Sequence, residues 1–161
     1  MSESTLKGAI AEAAITMAAV ELGFVVLRPL TEGRRYHLVI DIGPRLVRVQ
    51  CKWARRRGTV VVIDTSTRRL TPHGYVSTTY EASEIDGIAA YCRELSRCFF
   101  LPMALVAGRR GLHLRLAPAA NHQELAINWA DRYPFGAIAQ LGERLAGSEE
   151  AGGSSPPSST S

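Results

Sequence analysis

The sequence predicts an α/β domain, a mixed central β-sheet flanked by helices, and three observations point there. The chain opens on an Ala- and Leu-rich stretch with helical spacing. Three β-rich runs then follow one another between Tyr36 and Asp64. Beyond them, helix-like and strand-like segments alternate up to about Tyr133.

Residues 4–23 read as the first helix, with Ser4 or Thr5 as cap and Gly23 placed to end it. Ile10, Ala13, Ala14, Met17, Ala18 and Leu22 mark the expected buried stripe. FVVLRPL is a short strand stopped by Pro29. Tyr36–Ile42 and Leu46–Lys52 flank Gly43-Pro44-Arg45 and read as a hairpin. RRRG is a basic turn, and Thr59–Asp64 is a strand apolar enough to be buried on both faces. Residues 65–83 read as polar loop with at most a short strand. Glu84–Tyr91 reads as a short helix that Glu84 and Asp86 open favourably. Arg97–Leu101, Leu105–Val106 and Leu112–Leu116 are strand material, and Glu124–Asp131 is a last helix. Trp53 and Trp129 are expected in the core.

The domain is expected over residues 1–133. Residues 134–161 are expected to lie outside it: their Gly/Ser/Pro-rich end cannot bury enough apolar surface to order itself. The stretch from Gly136 to Thr160 also resembles the peptide made when a bacterial tRNA gene is translated in an accidental frame.

Charge is unevenly placed. Residues 1–69 hold 12 Lys/Arg against 6 Asp/Glu, and residues 70–161 hold 7 against 9. A basic half suits a polyanion partner, although a solvated basic face has the same composition. Cys51, Cys92 and Cys98 form an odd set without a CxxC pair, which argues against a disulfide framework or a zinc site and fits a reducing cytoplasm. No apolar run is long enough to span a membrane.

The hairpin serves as a ruler. Pairing Ile42 with Arg45 sets His37 opposite Gln50 and Asp41 opposite Leu46. Arg48, Gln50 and Lys52 then share one face, and opposed Cβ atoms lie about 4.5–5.5 Å apart. His37, Gln50 and Lys52 thus form a polar cluster at the end of the hairpin away from its turn. A merely solvent-facing strand would show the same alternation.

The ordered strings KGAIAE (Lys7–Glu12), YHLVID (Tyr36–Asp41) and RVQCKWA (Arg48–Ala54) resemble PD-(D/E)XK nucleases. They are most similar to the branch associated with bacterial group I introns, whose homing endonucleases carry Gln in place of the acid before x-Lys. The likeness extends through SEIDGIAAYC (Ser83–Cys92) and LRLAPAANHQELAINWA (Leu114–Ala130). It implies a restriction-endonuclease-like core and a metal-dependent endodeoxyribonuclease acting on double-stranded DNA. It also implies a divalent ion, Mg²⁺ or Mn²⁺, and assembly as a homo-oligomer, dimer or tetramer. By resemblance Glu12 organises the metal site, Gln50 and the Cys51 carbonyl ligate the ion, and Lys52 orients the attacking water.

One position departs from the family. Where an aspartate is expected this chain has His37, which would then be the catalytic and metal-ligating residue. Asp41 is the visible substitute, but four residues along a strand place it roughly 13 Å away. Imidazole is a poor ligand for Mg²⁺ and a better one for Mn²⁺ or Zn²⁺. Three outcomes stay open: tolerance of Mn²⁺, a register shift that brings Asp41 in, or a catalytically inactive DNA-binding protein. A junction-resolving or restriction enzyme on the same fold is a further reading. Arg34, Arg35, Arg48, Arg55, Arg56 and Arg57 are expected to contact DNA phosphates, with Arg68 and Arg69 nearby. The nuclease reading requires Glu12 to converge with Gln50 and Lys52.

Overall fold

The structure, a computed structural model, describes residues 1–121 and 125–143. Helix α1 spans Glu3–Glu21. Its cap is Ser2 rather than Ser4 or Thr5, because Ser2 Oγ accepts a 3.2 Å hydrogen bond from the Thr5 amide. Gly23, at φ +82, ends it in the left-handed conformation that glycine tolerates. The buried stripe is Ala11, Ile15 and Ala19, while Met17 is 60% and Leu22 48% exposed. An alanine-rich helix is apolar nearly all round, so spacing alone did not discriminate the stripe.

Seven strands form the main sheet: β1 (Val25–Leu27), β2 (Leu38–Asp41), β3 (Leu46–Arg57), β4 (Val60–Asp64), β7 (Gly87–Cys92), β8 (Arg97–Pro102) and β9 (Gly111–Arg115). Strands β5 (Ser66–Thr71) and β6 (Gly74–Thr79) make a separate two-stranded ribbon. The β3–β7 pair is parallel and the other pairs are antiparallel, so the sheet is mixed, as predicted. The hairpin register also holds: Leu38 opposes Val49, Asp41 opposes Leu46, and the Ile42 amide donates to the Arg45 carbonyl at 3.1 Å.

Several expectations need correction. Glu84–Tyr91 is not a helix. Its apolar half is β7, a central strand buried on both faces, and such a run has no period to distinguish it from a buried helix. Gly87 starts β7 because a Cβ there would sit 2.5 Å from the Phe100 ring and 2.7 Å from the Leu101 carbonyl oxygen. Leu105–Val106 belongs to a helical turn, α2 (Met103–Val106), that follows Pro102. The proposed helix Glu124–Asp131 begins outside the described residues. Within them Ala126 has φ +58, Trp129 bridges to Arg115, and only Ala130–Arg132 form a 3-10 turn. RRRG is not a turn, since β3 runs on to Arg57. Residues 66–79 are ribbon, not loop.

The fold does not stop at Tyr133. Phe135–Ala139 form a 3-10 helix whose Phe135 and Ile138 are buried against Ile15, Val49 and Phe100. Apolar side chains at these two positions fill the angle between α1 and β8, which composition averaged over 134–161 conceals. Residues 144–161 lie outside the described residues. Among the described residues no helix is long and apolar enough to cross a membrane.

Strand alternation sorts the core into two layers. Leu38, Ile40, Val47, Val49, Cys51, Ala89 and Phe100 pack with Ile15 and Ala19 of α1. Ala54, Ile88, Ala90, Phe99 and Leu101 pack on the opposite face with Tyr80, Ile85 and Met103. The edges of β3 matter more for chemistry. β2 pairs with Leu46–Val49 and β4 with Ala54–Arg57, both on the edge away from β7. Between them, residues 50–53 have no strand partner on that edge. The sheet forks there.

Candidate active site

The fork collects side chains from four segments. Gln50 and Lys52 come from β3 itself. His37 stands just before β2, its amide bonded to the Val49 carbonyl at 2.9 Å, and its ring reaches Gln50, Nε2 to Nε2, at 3.3 Å. α1 packs on the face opposite Gln50 and Lys52, yet Glu12 extends past the sheet edge to the fork. Its Oε2 lies 3.8 Å from His37 Nδ1, and its Oε1 contacts the Arg28 guanidinium. Glu12, His37 and Gln50 therefore form one chain of contacts, with His37 as the link between helix and strand, and Lys52 lies near enough for its charge to act on His37.

Gln50 is the least satisfied of the four. It is buried, and its Oε1 has no hydrogen-bond partner among the described residues. Turning the amide over would aim Oε1 at His37 and bury the NH₂ group without a partner instead. In either orientation one polar end faces the fork unpaired, a cost of about 1–3 kcal/mol unless a ligand meets it.

His37 is held neutral. Burial lowers its pKa below the ordinary value, and the Lys52 and Arg28 charges add to this against the opposing charge of Glu12. Its 3.8 Å approach to Glu12 is therefore not an ion pair at neutral pH. Lys52 donates from Nζ to the Ser66 carbonyl at 2.6 Å and lies over the Tyr80 ring at 5.3 Å. Burial lowers its pKa as well; Asp64 opposes that shift, and Arg35 and Arg68 reinforce it. Cys51 is buried and its thiol is pushed up, so it offers its backbone to the site and no thiolate.

Asp41 takes no part. Its Oδ1 accepts from the Gly43 amide at 2.9 Å, closing the hairpin turn, and it sits opposite Leu46. Six residues of β3, about 20 Å, separate Leu46 from Lys52.

The arginines divide. Arg48 donates to Asp86 Oδ2 at 3.1 Å and to the Ser83 carbonyl at 2.6 Å, and Arg35 donates to Glu84 at 2.9 Å while lying over Tyr80. Glu84 and Asp86 are thus ion-pair partners rather than helix openers, and these two arginines hold the chain together. Arg56 bonds the Gly58 carbonyl. Arg34, Arg55 and Arg57 project without side-chain partners among the described residues. Trp53 is not in the core: it is half-buried, meets Tyr91 edge to face at 5.9 Å, and lines a cleft with Arg55, Arg68 and Arg110.

Known families match this arrangement. The family model described as PD-(D/E)XK endonuclease matches residues 2–136. The chain belongs to the PD-(D/E)XK endonuclease family. A solved structure, that of the bacterial homing endonuclease I-Ssp6803I, matches with a TM-score of 0.72 and 26% identity over 92% of this chain and 99% of that one. No curated protein gives a significant match.

PD-(D/E)XK nucleases typically use a divalent metal ion. The donors at this fork are one carboxylate, one neutral imidazole and one amide. Among the described residues no three His, Cys, Asp or Glu side chains surround one point. Such a mixed N/O set suits Mg²⁺, which demands oxygen ligands, poorly, and is better met by Mn²⁺, which stands above it in affinity for nitrogen donors, or by a borderline ion such as Zn²⁺. The unpaired end of Gln50 is the strongest sign that a ligand belongs here.

Sequence reasoning missed Arg28, which bonds Glu12, and Ser66, Tyr80 and Asp64 around Lys52. Nothing local marks Arg28, because it arrives through the turn after β1. The Ser- and Thr-rich runs on either side of Pro72-His73-Gly74, with Leu70 and Tyr75 next to the turn, were a readable hairpin signal for the segment that brings Ser66 to Lys52.

Proposed function

We propose that this chain is a metal-dependent endodeoxyribonuclease that hydrolyses phosphodiester bonds of double-stranded DNA, resembling the homing type, with an ion preference altered by His37. The observation that supports it is the contact chain Glu12–His37–Gln50 at a strand fork, within reach of the Lys52 charge, where a buried amide end is left unpaired. Glu12, His37, Gln50 and the Cys51 carbonyl would hold the ion, which when bound supplies Lewis acidity at the scissile phosphate. Lys52, fixed by Ser66 and Tyr80, places positive charge beside the phosphate and holds the attacking water in line. Arg34 and Arg28 line the cleft that leads to Glu12 and His37 and would guide the phosphate backbone inward.

Plasmid nicking tests this reading. Cutting is expected with Mn²⁺ and only weakly with Mg²⁺. His37→Asp should raise Mg²⁺-dependent cutting at least tenfold, and Lys52→Ala should abolish cutting with either ion. Binding of duplex DNA with no cutting in any divalent ion, by wild type and His37→Asp alike, would sink it. That result would favour a non-catalytic DNA-binding protein. The Arg28–Glu12 pair specifically supports this second reading, because it ties up the carboxylate that reaches His37. A homo-oligomer and a cytoplasmic location fit the exposed Met17, Val20 and Val25 and the three free cysteines. Sedimentation would measure the former.

A further inference from the structure

The β5–β6 ribbon stands apart from the main sheet and pairs only with itself. A lone two-stranded hairpin is marginal in water, and this one carries Leu70, Tyr75 and Val76 at 67%, 77% and 47% exposure. Residues 65–80 contain Arg68, Arg69, His73 and seven Ser or Thr but no Asp or Glu. Arg69 has no partner among the described residues, and Arg68 reaches Asp64 only at 4.0 Å while 72% exposed. The composition is that of a surface made to meet a polyanion with hydrogen-bond acceptors, and the few apolar groups sit at its tip.

We propose that the β5–β6 ribbon enters the major groove of duplex DNA. The inference rests on the nuclease reading above and adds to it the element that touches the bases. A two-stranded ribbon has the width of the major groove, and Arg side chains make the commonest specific contacts to guanine edges there. Leu70 and Tyr75 oppose each other near the turn, on the face shared with Arg68 and Ser77. They supply apolar contact beside the charged one.

The base of the ribbon is where reading meets cutting. The Ser66 carbonyl that begins β5 is the acceptor of Lys52 Nζ, and Asp64 Oδ1 bonds both the Ser66 amide at 2.9 Å and its hydroxyl at 2.7 Å. A ribbon that shifts on entering DNA therefore moves the acceptor that sets the direction of the Lys52 ammonium. Correct seating of the ribbon and correct placement of Lys52 become one event.

The test is binding in EDTA to a fluorescein-labelled mixed-sequence duplex over a salt series, which needs no cutting. The Arg68→Ala/Arg69→Ala variant should bind at least tenfold more weakly than wild type. Its slope of log K against log salt should be shallower by about 1.8, two counterion-releasing contacts. The charge-keeping Arg68→Lys/Arg69→Lys pair should retain the slope, and methyl green in the major groove should compete where netropsin in the minor groove does not. A double-alanine variant that binds like wild type overturns the ribbon proposal alone. If that variant also changes oligomeric state, the ribbon's partner is a second copy of the chain. A wild type that fails to bind duplex at all overturns the proposal together with the nuclease reading.

Discussion

Two sets of arginines look alike in the sequence and behave oppositely in the fold. Arg35, Arg45 and Arg48 point into the segment 79–86, where Arg45 and Arg48 clamp Asp86 and Arg35 clamps Glu84. Arg55, Arg57 and Arg69 extend from β3 and β5 into solvent, and among the described residues none of them has a hydrogen-bond or ion-pair partner, Arg55 only acting at a distance on Glu94. The difference teaches that a basic half is two things at once. Part of the charge locks a loop onto the start of β7, and the remainder is left available for a polyanion. Counting cations gives the sum, and only the placement of the acids separates the parts.

Breaking the clamp should give the largest effect. The Asp86 side chain is only 10% exposed, and its loss leaves the Arg48 amide and two guanidinium groups short of acceptors. Asp86→Ala should cost about 3 kcal/mol in urea unfolding; a cost below 1 would erase the distinction between the two sets.

Acid should break the same clamp. Burial alone would raise the Asp86 carboxyl, but the hydrogen bonds from Arg48 and the charges of Arg48 and Arg45 carry it below its ordinary value. The folded state therefore binds this proton less readily than the unfolded one. The contribution is fully present above the unfolded carboxyl value of about 3.9 and is lost as pH falls through the lower native value. Unfolding curves between pH 7 and pH 3 should show a drop at the acid end that shrinks in Asp86→Asn.

The unpartnered set sharpens the comparison from the other side. Arg55→Ala with Arg57→Ala should change stability by less than about 0.5 kcal/mol. It should flatten the salt dependence of duplex binding by about 1.8. Equal salt slopes in wild type and variant would show that these cations do not touch phosphate.

Arg28 sits between the two classes, paired with Glu12 yet 56% exposed itself. Arg28→Met should shift stability by less than about 1 kcal/mol and tighten Mn²⁺ binding several-fold, read by electron spin resonance, because Glu12 is freed. Unchanged Mn²⁺ affinity would mean that the pair does not compete with the ion.

The local signals were sufficient for the hairpin. Its period of two and the Gly43-Pro44 turn fixed the register that puts His37 against Gln50 and sends Asp41 to the far end. They were insufficient for β7, because a strand buried on both faces has no polar side to reveal its period. Glu12 and Lys52 are proposed from a family pattern, whereas their partners Arg28 and Ser66 follow no such pattern. Those two are delivered by tertiary folding, through chain segments that carry no motif of their own. The ion pairs of Arg35 and Arg48 were illegible for the same reason: the acids that claim them lie more than thirty residues away in sequence.

The 3-10 helix after Tyr133 has a consequence for how the gene can end. Phe135 and Ile138 plug the wedge between α1 and β8 on the layer that supports Glu12. Removing a buried Phe alone typically costs about 3–5 kcal/mol, a large share of the roughly 5–15 kcal/mol that keeps a domain of this size folded. A stop codon placed at residue 134 would thus open a hole beneath the helix that carries Glu12. The last ten described residues work as a cork, and the nuclease core is sealed only after they have been made.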